Sequence, residues 1–375
     1  MSNKKLNKDK TQTTVLVTGG AGFIGSHTCV ELIESGYKVV VVDNLVNSSE
    51  VAIDRVRQIA NATDEQLVFY NLDLLDKENL TKVFKDHDIS AIIHFAGLKA
   101  VGESVEKPLE YYVNNMQSTF VLCEVARSFG VKNLIFSSSA TVYGDPAQIP
   151  ITEDCPKGTP TNPYGHTKSM QEQILRDLFI GDEEWNIVAL RYFNPIGAHV
   201  SGLIGEDPKG IPNNLVPYVA QVAVGKLDCI RVWGDDYDTI DGTGVRDYIH
   251  VVDLAKGHVA ALKWMSGQVG QKNSANDSYS LFGEPDTDGT RRGFAIFNLG
   301  TGKGSSVLQV ISAFGQACGK ELKYEICDRR PGDIATCYAA CEKAKNELEW
   351  EAQFDIKRMC EDSWRWQSQN PNGYN

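Results

Sequence analysis

Tyr164 and Lys168 are the residues in this chain best placed by type and spacing to do chemistry. Four positions apart on a helix, they share one face. A tyrosine ordinarily ionises near pH ~10. An ammonium beside it favours the phenolate, which makes Tyr164 a candidate general base near neutral pH. Alone, the pair is an ordinary surface motif. Its meaning comes from Gly19-x-x-Gly22-x-x-Gly25 upstream, which follows an apolar run and opens a helix ending near Gly36. Glycines there allow a tight turn and close approach of backbone to a pyrophosphate, whose charge sits at the helix N-terminus. Asp43 lies 18 residues past Gly25, at the end of the next apolar run. A carboxylate there accepts from ribose hydroxyls and repels a 2′-phosphate, and no arginine directly follows, so the site reads as one for NAD rather than NADP. A dinucleotide turn with an acid–base pair can move a hydride and a proton at one carbon.

Three further features lie where strand ends would meet such a ligand. Asp73, after the third run, either caps an adenine amino group or closes a turn. Phe95-Ala96-Gly97 ends the fourth run. Ser137-Ser138-Ser139 ends the fifth, offering a hydroxyl for a substrate oxygen or simply a polar strand terminus.

The elements that must position these residues are legible as apolar runs at 14–18, 38–42, 67–70, 91–95, 133–137 and 186–191. Most are rich in Val and Ile without polar alternation, as strands covered on both faces are. Helical stretches separate them. This pattern predicts an α/β fold with a Rossmann-type doubly wound parallel sheet over 14–193. After Phe193 the rhythm breaks into a Gly-, Pro- and Asn-rich stretch. Helices follow at 215–225, 253–265 and 307–318, with Asp253 expected as the N-cap of its helix. Residues 194–375 are expected to form a smaller α/β substrate domain. Residues 267–293, polar and without periodicity, read as a surface insertion, and 1–13 as a disordered tail.

Composition narrows the class. A 42% apolar and 23% charged chain is ordinary for a globular enzyme, and no run reaches the ~18 apolar residues of a membrane span. The polar, lysine-rich start lacks the apolar stretch of a secretory signal. The nine cysteines contain no Cys-x-x-Cys pair, so reduced thiols in the cytoplasm are expected, with neither a disulfide framework nor a metal site. The Asn-x-Ser/Thr triplets at Asn47, Asn61, Asn79 and Asn276 are then without consequence. A net charge of −12 argues against nucleic acid or an anionic membrane as partner. An anionic substrate must instead be held by local cations.

The glycine turn, Ser-Ser-Ser-Ala-Thr-Val-Tyr-Gly at 137–144 and Tyr164-x-x-x-Lys168 together resemble the extended short-chain dehydrogenase/reductases. Longer blocks narrow the resemblance to the UDP-glucose (UDP-galactose) 4-epimerases. These are His-Phe-Ala-Gly-Leu-Lys-Ala-Val-Gly-Glu-Ser at 94–104, Arg-Tyr-Phe-Asn-Pro at 191–195, Gly-Ile-Pro-Asn-Asn-Leu at 210–215 and Gly-Thr-Gly-Val-Arg-Asp-Tyr-Ile-His at 242–250. It spans the chain from about residue 14, leaving out the tail and the 267–293 insertion. The resemblance implies interconversion of UDP-galactose and UDP-glucose through a transient 4-keto sugar and NADH, with tightly bound NAD regenerated each turnover. It implies Tyr164 as base, Lys168 as its partner and Ser139 on the sugar's 4-oxygen. Around NAD it implies Gly19, Gly22, Phe23, Ile24, Gly25, Asp43, Asn44, Leu45, Val46, Asn47, Ser48, Asp73, Leu74, Phe95, Ala96, Gly97, Leu98, Lys99, Asn114 and Phe193. Around the UDP-sugar it implies Asn194, Asn214, Leu215, Arg246, Arg330 and Asp333, with the backbone of Arg231, Val232 and Trp233 facing uracil. Arginines suit a diphosphate held in an acidic protein. A homodimer through helices near 111–130 and 164–180 is also implied.

Two related chemistries fit less well. The resemblance places an Asp-Glu pair in nucleotide-sugar 4,6-dehydratases where this chain has Ala140 and Thr141, so elimination of water lacks its catalysts. A non-catalytic NAD-binding scaffold is expected to lack part of Ser139, Tyr164 and Lys168. Cys337, just past Arg329-Arg330-Pro331-Gly332-Asp333, matches the position that gates the sugar's 2-substituent. A thiol there in place of a phenol implies that UDP-GlcNAc and UDP-GalNAc are also accepted, unless Cys337 is only a buried small hydrophobe.

Overall fold

The computed structural model describes residues 13–269, 281–282, 293–330 and 332–375. The tail expected over 1–13 lies outside them apart from Thr13, as does most of the 267–293 insertion.

Seven parallel strands form the central sheet. In chain order they are β1 (Thr14–Thr18), β2 (Lys38–Asp43), β3 (Leu67–Asn71), β4 (Ile89–His94), β5 (Asn133–Ser139) and β6 (Asn186–Tyr192), joined later by β11 (Gly293–Leu299). Their spatial order is β3-β2-β1-β4-β5-β6-β11, and β10 (Leu281–Phe282) adds an antiparallel edge to β11. The doubly wound expectation holds. The direction of winding reverses between β1 and β4, which opens a crevice at the carboxyl ends of those strands.

Alternation along each strand divides the core in two. Val15, Val17, Val39, Val41, Ile93, Val188 and Leu190 face the side covered by α1 (Phe23–Glu34), α2 (Glu50–Ala60) and α8 (Val251–Met265). Leu16, Val40, Val42, Ile92, Leu134, Phe136 and Ile187 face the side covered by α3 (Lys77–Asp86), α5 (Pro108–Ser128) and α6 (Pro163–Gly181). Each such fully buried side chain contributes roughly 1.5–3 kcal/mol of transfer free energy. A short helix, α4 (Val101–Glu106), precedes α5.

The remaining residues build two small sheets. One joins β9 (Val245–His250) to β7 (Asn194–Ile196), β12 (Gly304–Ser306) and β14 (Thr336–Cys337); the other pairs β8 (Ile230–Trp233) with β13 (Tyr324–Cys327). Helices α7 (Leu215–Ala223), α9 (Val307–Cys318) and α11 (Ile356–Gln369) enclose a third core, and α10 (Glu342–Glu347) packs beside β11. Past the boundary expected at residue 193, β11 joins the main sheet and α8 covers one of its faces, so the later residues also build that layer.

One local expectation is corrected. The N-cap of α8 is His250, whose Nδ1 accepts from Val252 N at 3.0 Å. Asp253 sits in the first turn and its Oδ2 accepts from Gln353 N and Phe354 N, each at 2.9 Å. Its carboxylate therefore ties down a distant chain segment. Among the described residues no helix is long and apolar enough to cross a membrane, and none of the nine cysteines is disulfide-bonded.

Candidate active site

The glycine turn joins β1 to α1 with no spare room. Gly19 has φ +70°, and a Cβ there would lie 2.7 Å from Ala96 N; a Cβ on Gly25 would lie 2.3 Å from Gly19 O. No side chain caps the N-terminus of α1, and its first turn holds no acid. A backbone cradle with open helix N–H groups is what a pyrophosphate requires. Asp43, at the end of β2, points back at this turn. Its Oδ2 accepts from Ala21 N at 3.0 Å, and its Oδ1 accepts from Leu45 N at 2.9 Å and Ser48 Oγ at 2.8 Å. Leu45 takes a left-handed φ of 58° to make that bend. Of the two readings of Asp73, the turn is formed: it accepts from Leu75 N and Asn44 Nδ2, each at 2.9 Å. Leu74 is buried in the core, so only its backbone can face a ligand.

The loop after β4 is held by Asn115, which sequence reasoning did not single out. Its Oδ1 accepts from Leu98 N at 2.8 Å, and its Nδ2 donates to Leu98 O at 3.0 Å and Thr167 Oγ1 at 3.1 Å. Asn114 Nδ2 donates to the same Oδ1 at 3.1 Å. Thr167 lies between Tyr164 and Lys168, so one buried amide fixes both the Phe95–Lys99 loop and the helix carrying the acid–base pair.

That helix, α6, starts at Asn162, whose Oδ1 accepts from Gly165 N at 2.8 Å, with Pro163 in the first turn. Lys168 is buried and donates to Ser137 O at 2.6 Å, its ammonium 5.9 Å from the Tyr164 ring centre. Ser139 Oγ accepts from Thr141 N at 3.2 Å and Thr141 Oγ1 at 3.0 Å. The expected acidification of Tyr164 is not what the chain alone produces. Burial pushes the phenol up to about 12, opposed by a hydrogen bond from Ser139. Burial also lowers Lys168 to about 7, opposed by the charge of Glu172. Desolvation is the leading cause for both groups, so burial outweighs any acidifying effect of the lysine.

Glu172 was likewise not foreseen. It continues the face of Tyr164 and Lys168 one turn on, and a Tyr-x-x-x-Lys-x-x-x-Glu spacing was its available signal. Its carboxylate accepts from Arg191 Nε at 2.9 Å, Arg191 Nη2 at 2.8 Å and Ser138 Oγ at 2.5 Å, with every partner buried. Burial raises the Glu172 carboxyl, but Arg191 prevails and holds it below its ordinary range. A charged arginine inside the apolar strand β6 was the second signal, since such a charge demands a partner.

A second constellation gathers around β9. Arg246 donates through Nη1 to Val245 O at 2.9 Å and stands in register with Cys337 of β14. Asp247, buried, accepts from Thr301 N, Gly302 N and Ala339 N at 2.8, 3.0 and 3.1 Å, which pins the strands flanking Arg246. Arg330 pairs with Asp333 at 2.9 Å and lies 5.9 Å from the Trp233 ring centre. Arg231 pairs with Glu325, 3.5 Å away on the surface, and the Val232 side chain is core. Asn194 heads β7, in register with Tyr248 of β9. Phe193 packs with Tyr143, Ala339 and Cys337, bringing the two constellations together. Burial pushes the Cys337 thiol up to about 11, keeping it a neutral small side chain. Asn214, at the N-cap of α7 ahead of Leu215, donates to Glu206 Oε1 at 3.4 Å, and Lys99 reaches the same oxygen at 3.2 Å.

Residues 15–273 match the model of the NAD dependent epimerase/dehydratase family. The chain belongs to that family. Among its relatives, the UDP-glucose 4-epimerase of Bacillus subtilis (strain 168) is 59% identical over 96% of this chain and 98% of its own. The structure superposes with a TM-score of 0.86 on the UDP-glucose 4-epimerase of Bifidobacterium longum in complex with NAD+ and UDP, 55% identical, over 96% of this chain and 100% of that one. It superposes with a TM-score of 0.77 on the UDP-Glc/GlcNAc 4-epimerase of Campylobacter jejuni, 34% identical, over 95% of this chain and 99% of that one. The family's NAD dependence accords with the glycine cradle and with Asp43, as no acidic group blocks the first turn of α1.

Proposed function

We propose that this protein interconverts UDP-galactose and UDP-glucose by reversible oxidation at C4, and that it also takes the N-acetylated pair. The observation that carries the reading is near-full-length similarity to UDP-glucose 4-epimerases in a chain that keeps Ser139, Tyr164 and Lys168 beside an uncapped glycine turn. In this reading Gly19, Gly22, Gly25 and the α1 N-terminus hold the pyrophosphate of NAD, and Asp43 takes the adenosine ribose. When bound, NAD supplies a hydride acceptor, then a donor, and a positive ring that favours the phenolate. Tyr164 takes the 4-hydroxyl proton as the C4–O bond becomes a carbonyl, and returns it once the sugar has turned over. Ser139 donates to the 4-oxygen, and Lys168 orients the phenol and tempers its charge. Arg246 and Arg330 hold the diphosphate, so the hexose is left free to rotate. The atoms balance with no net redox change.

The N-acetyl activity rests on the small volume of the thiol at residue 337, which packs against the cluster containing Phe193. The NAD-binding and UDP-sugar-binding roles fall to residues 14–193 and 194–375. A homodimer in the cytoplasm fits the unpaired thiols and the apolar helix face described below. The test is to assay both UDP-sugar pairs on the protein as purified, without added nicotinamide. Both are expected to turn over, and Cys337→Tyr should abolish only the N-acetyl pair. Equal loss of both would remove the gate; a requirement for stoichiometric NAD would remove the epimerase reading.

A further inference from the structure

A cofactor regenerated at every turnover is best kept in place, and one loop carries contacts that the chemistry leaves unused. Residues 201–214 lead irregularly from the β7 side to α7. Along this segment the Glu206 carboxylate receives Lys99 from the loop after β4 at 3.2 Å. Three residues on, Lys209 Nζ donates to Leu45 O at 3.1 Å and Val46 O at 2.7 Å, in the loop after β2. Strands β4 and β2 flank β1, whose following loop is the glycine turn. Two strand spacings amount to about 10 Å, and three extended residues cover roughly the same distance. The segment is thus tied to the loops on either side of the glycine turn.

Its root is rigid. Arg55 Nη1 donates to Leu203 O and Asn370 Oδ1, both at 2.7 Å, and its guanidinium lies over the rings of Trp366 and Tyr374. Trp366 Nε1 donates to Glu206 O at 3.1 Å, and Tyr374 N donates to Asp207 Oδ2 at 3.0 Å. The same Glu206 oxygen accepts from Asn214, so one carboxylate joins the cofactor side to the loop entering α7.

We propose that Glu206 and Lys209 are positioning residues of a strap that ties the 201–214 segment across the cofactor crevice and sets how slowly NAD leaves. The proposal rests on the reading of that crevice as the NAD site. Neither residue touches the reacting carbon; each acts through the loops that enclose the dinucleotide. Lys209 is exposed, so its replacement spares the core.

The experiment uses holoenzyme as purified. Parent, Lys209→Ala, Lys209→Arg and Glu206→Gln are incubated with a scavenger of free NAD, and protein-bound NAD is quantified by mass over time. Lys209→Ala is expected to release NAD on the order of tenfold faster, as loss of hydrogen bonds from a charged donor implies. Lys209→Arg, which still donates to both carbonyls, should restore retention. Release at the parental rate in both Lys209→Ala and Glu206→Gln overturns the strap and leaves the catalytic reading standing. A parent that carries no NAD overturns that reading and the strap with it.

Discussion

At Tyr164, burial and proton chemistry pull in opposite directions. A phenol held up at about 12 is a poor base until positive charge arrives beside it. Tyr164→Phe should lower kcat by about 10²–10⁴-fold, the usual share of general acid–base catalysis, while mass analysis still finds NAD bound; unchanged kcat would rule out Tyr164 as the base. Lys168 gives a signed pH dependence. Its folded value is near 7 against an ordinary 10.5. Between these, the unfolded NAD-free chain binds a proton that the folded one does not, so stability rises with pH from about 7 to 10.5 and is level below that window. Lys168→Met should flatten this rise in denaturant midpoints measured from pH 7 to 10; an unaltered slope would contradict it. The acid–base pair was readable because its two members are four residues apart. Glu172 and Arg191 left weaker traces, one in helical spacing and one as a charge in an apolar strand. Glu206 left none, since its partner Lys99 is 107 residues away and only folding joins them.

Strands and helices were the most legible level. Six strands of the main sheet stand out because burial on both faces makes them continuous apolar runs. The seventh, β11, follows the polar 267–293 stretch, which hid the return of the chain to the sheet. An acid in the first turn, such as Asp253, resembles a cap in sequence, whereas His250 supplies the acceptor. Helix surfaces also carry a partner prediction. Leu109, Val113 and Phe120 share one face of α5 and are 70%, 43% and 45% exposed, with Met170 of α6 also exposed at 45%. Such an apolar face fits a second copy of this chain. The parent should sediment as a dimer and Leu109→Asp with Phe120→Asp as a monomer; a parent that is monomeric at micromolar concentration would refute this.

On the scale of the whole molecule, one sheet edge and one small sheet divide the work. The crevice between β1 and β4 suits a dinucleotide, while Arg246 and Arg330 supply the local cations that the proposed grip on a diphosphate needs in a chain of net charge −12. In the proposed reaction, anchoring at the diphosphate and freedom at the sugar let one carbon present both faces to one cofactor. The hydride removed from C4 returns to C4 in the proposed reaction. UDP-galactose carrying deuterium at C4, incubated with the protein as purified, should give UDP-glucose that keeps its deuterium, with no accumulation of NADH. Deuterium lost to water, or NADH formed in step with product, would contradict the account.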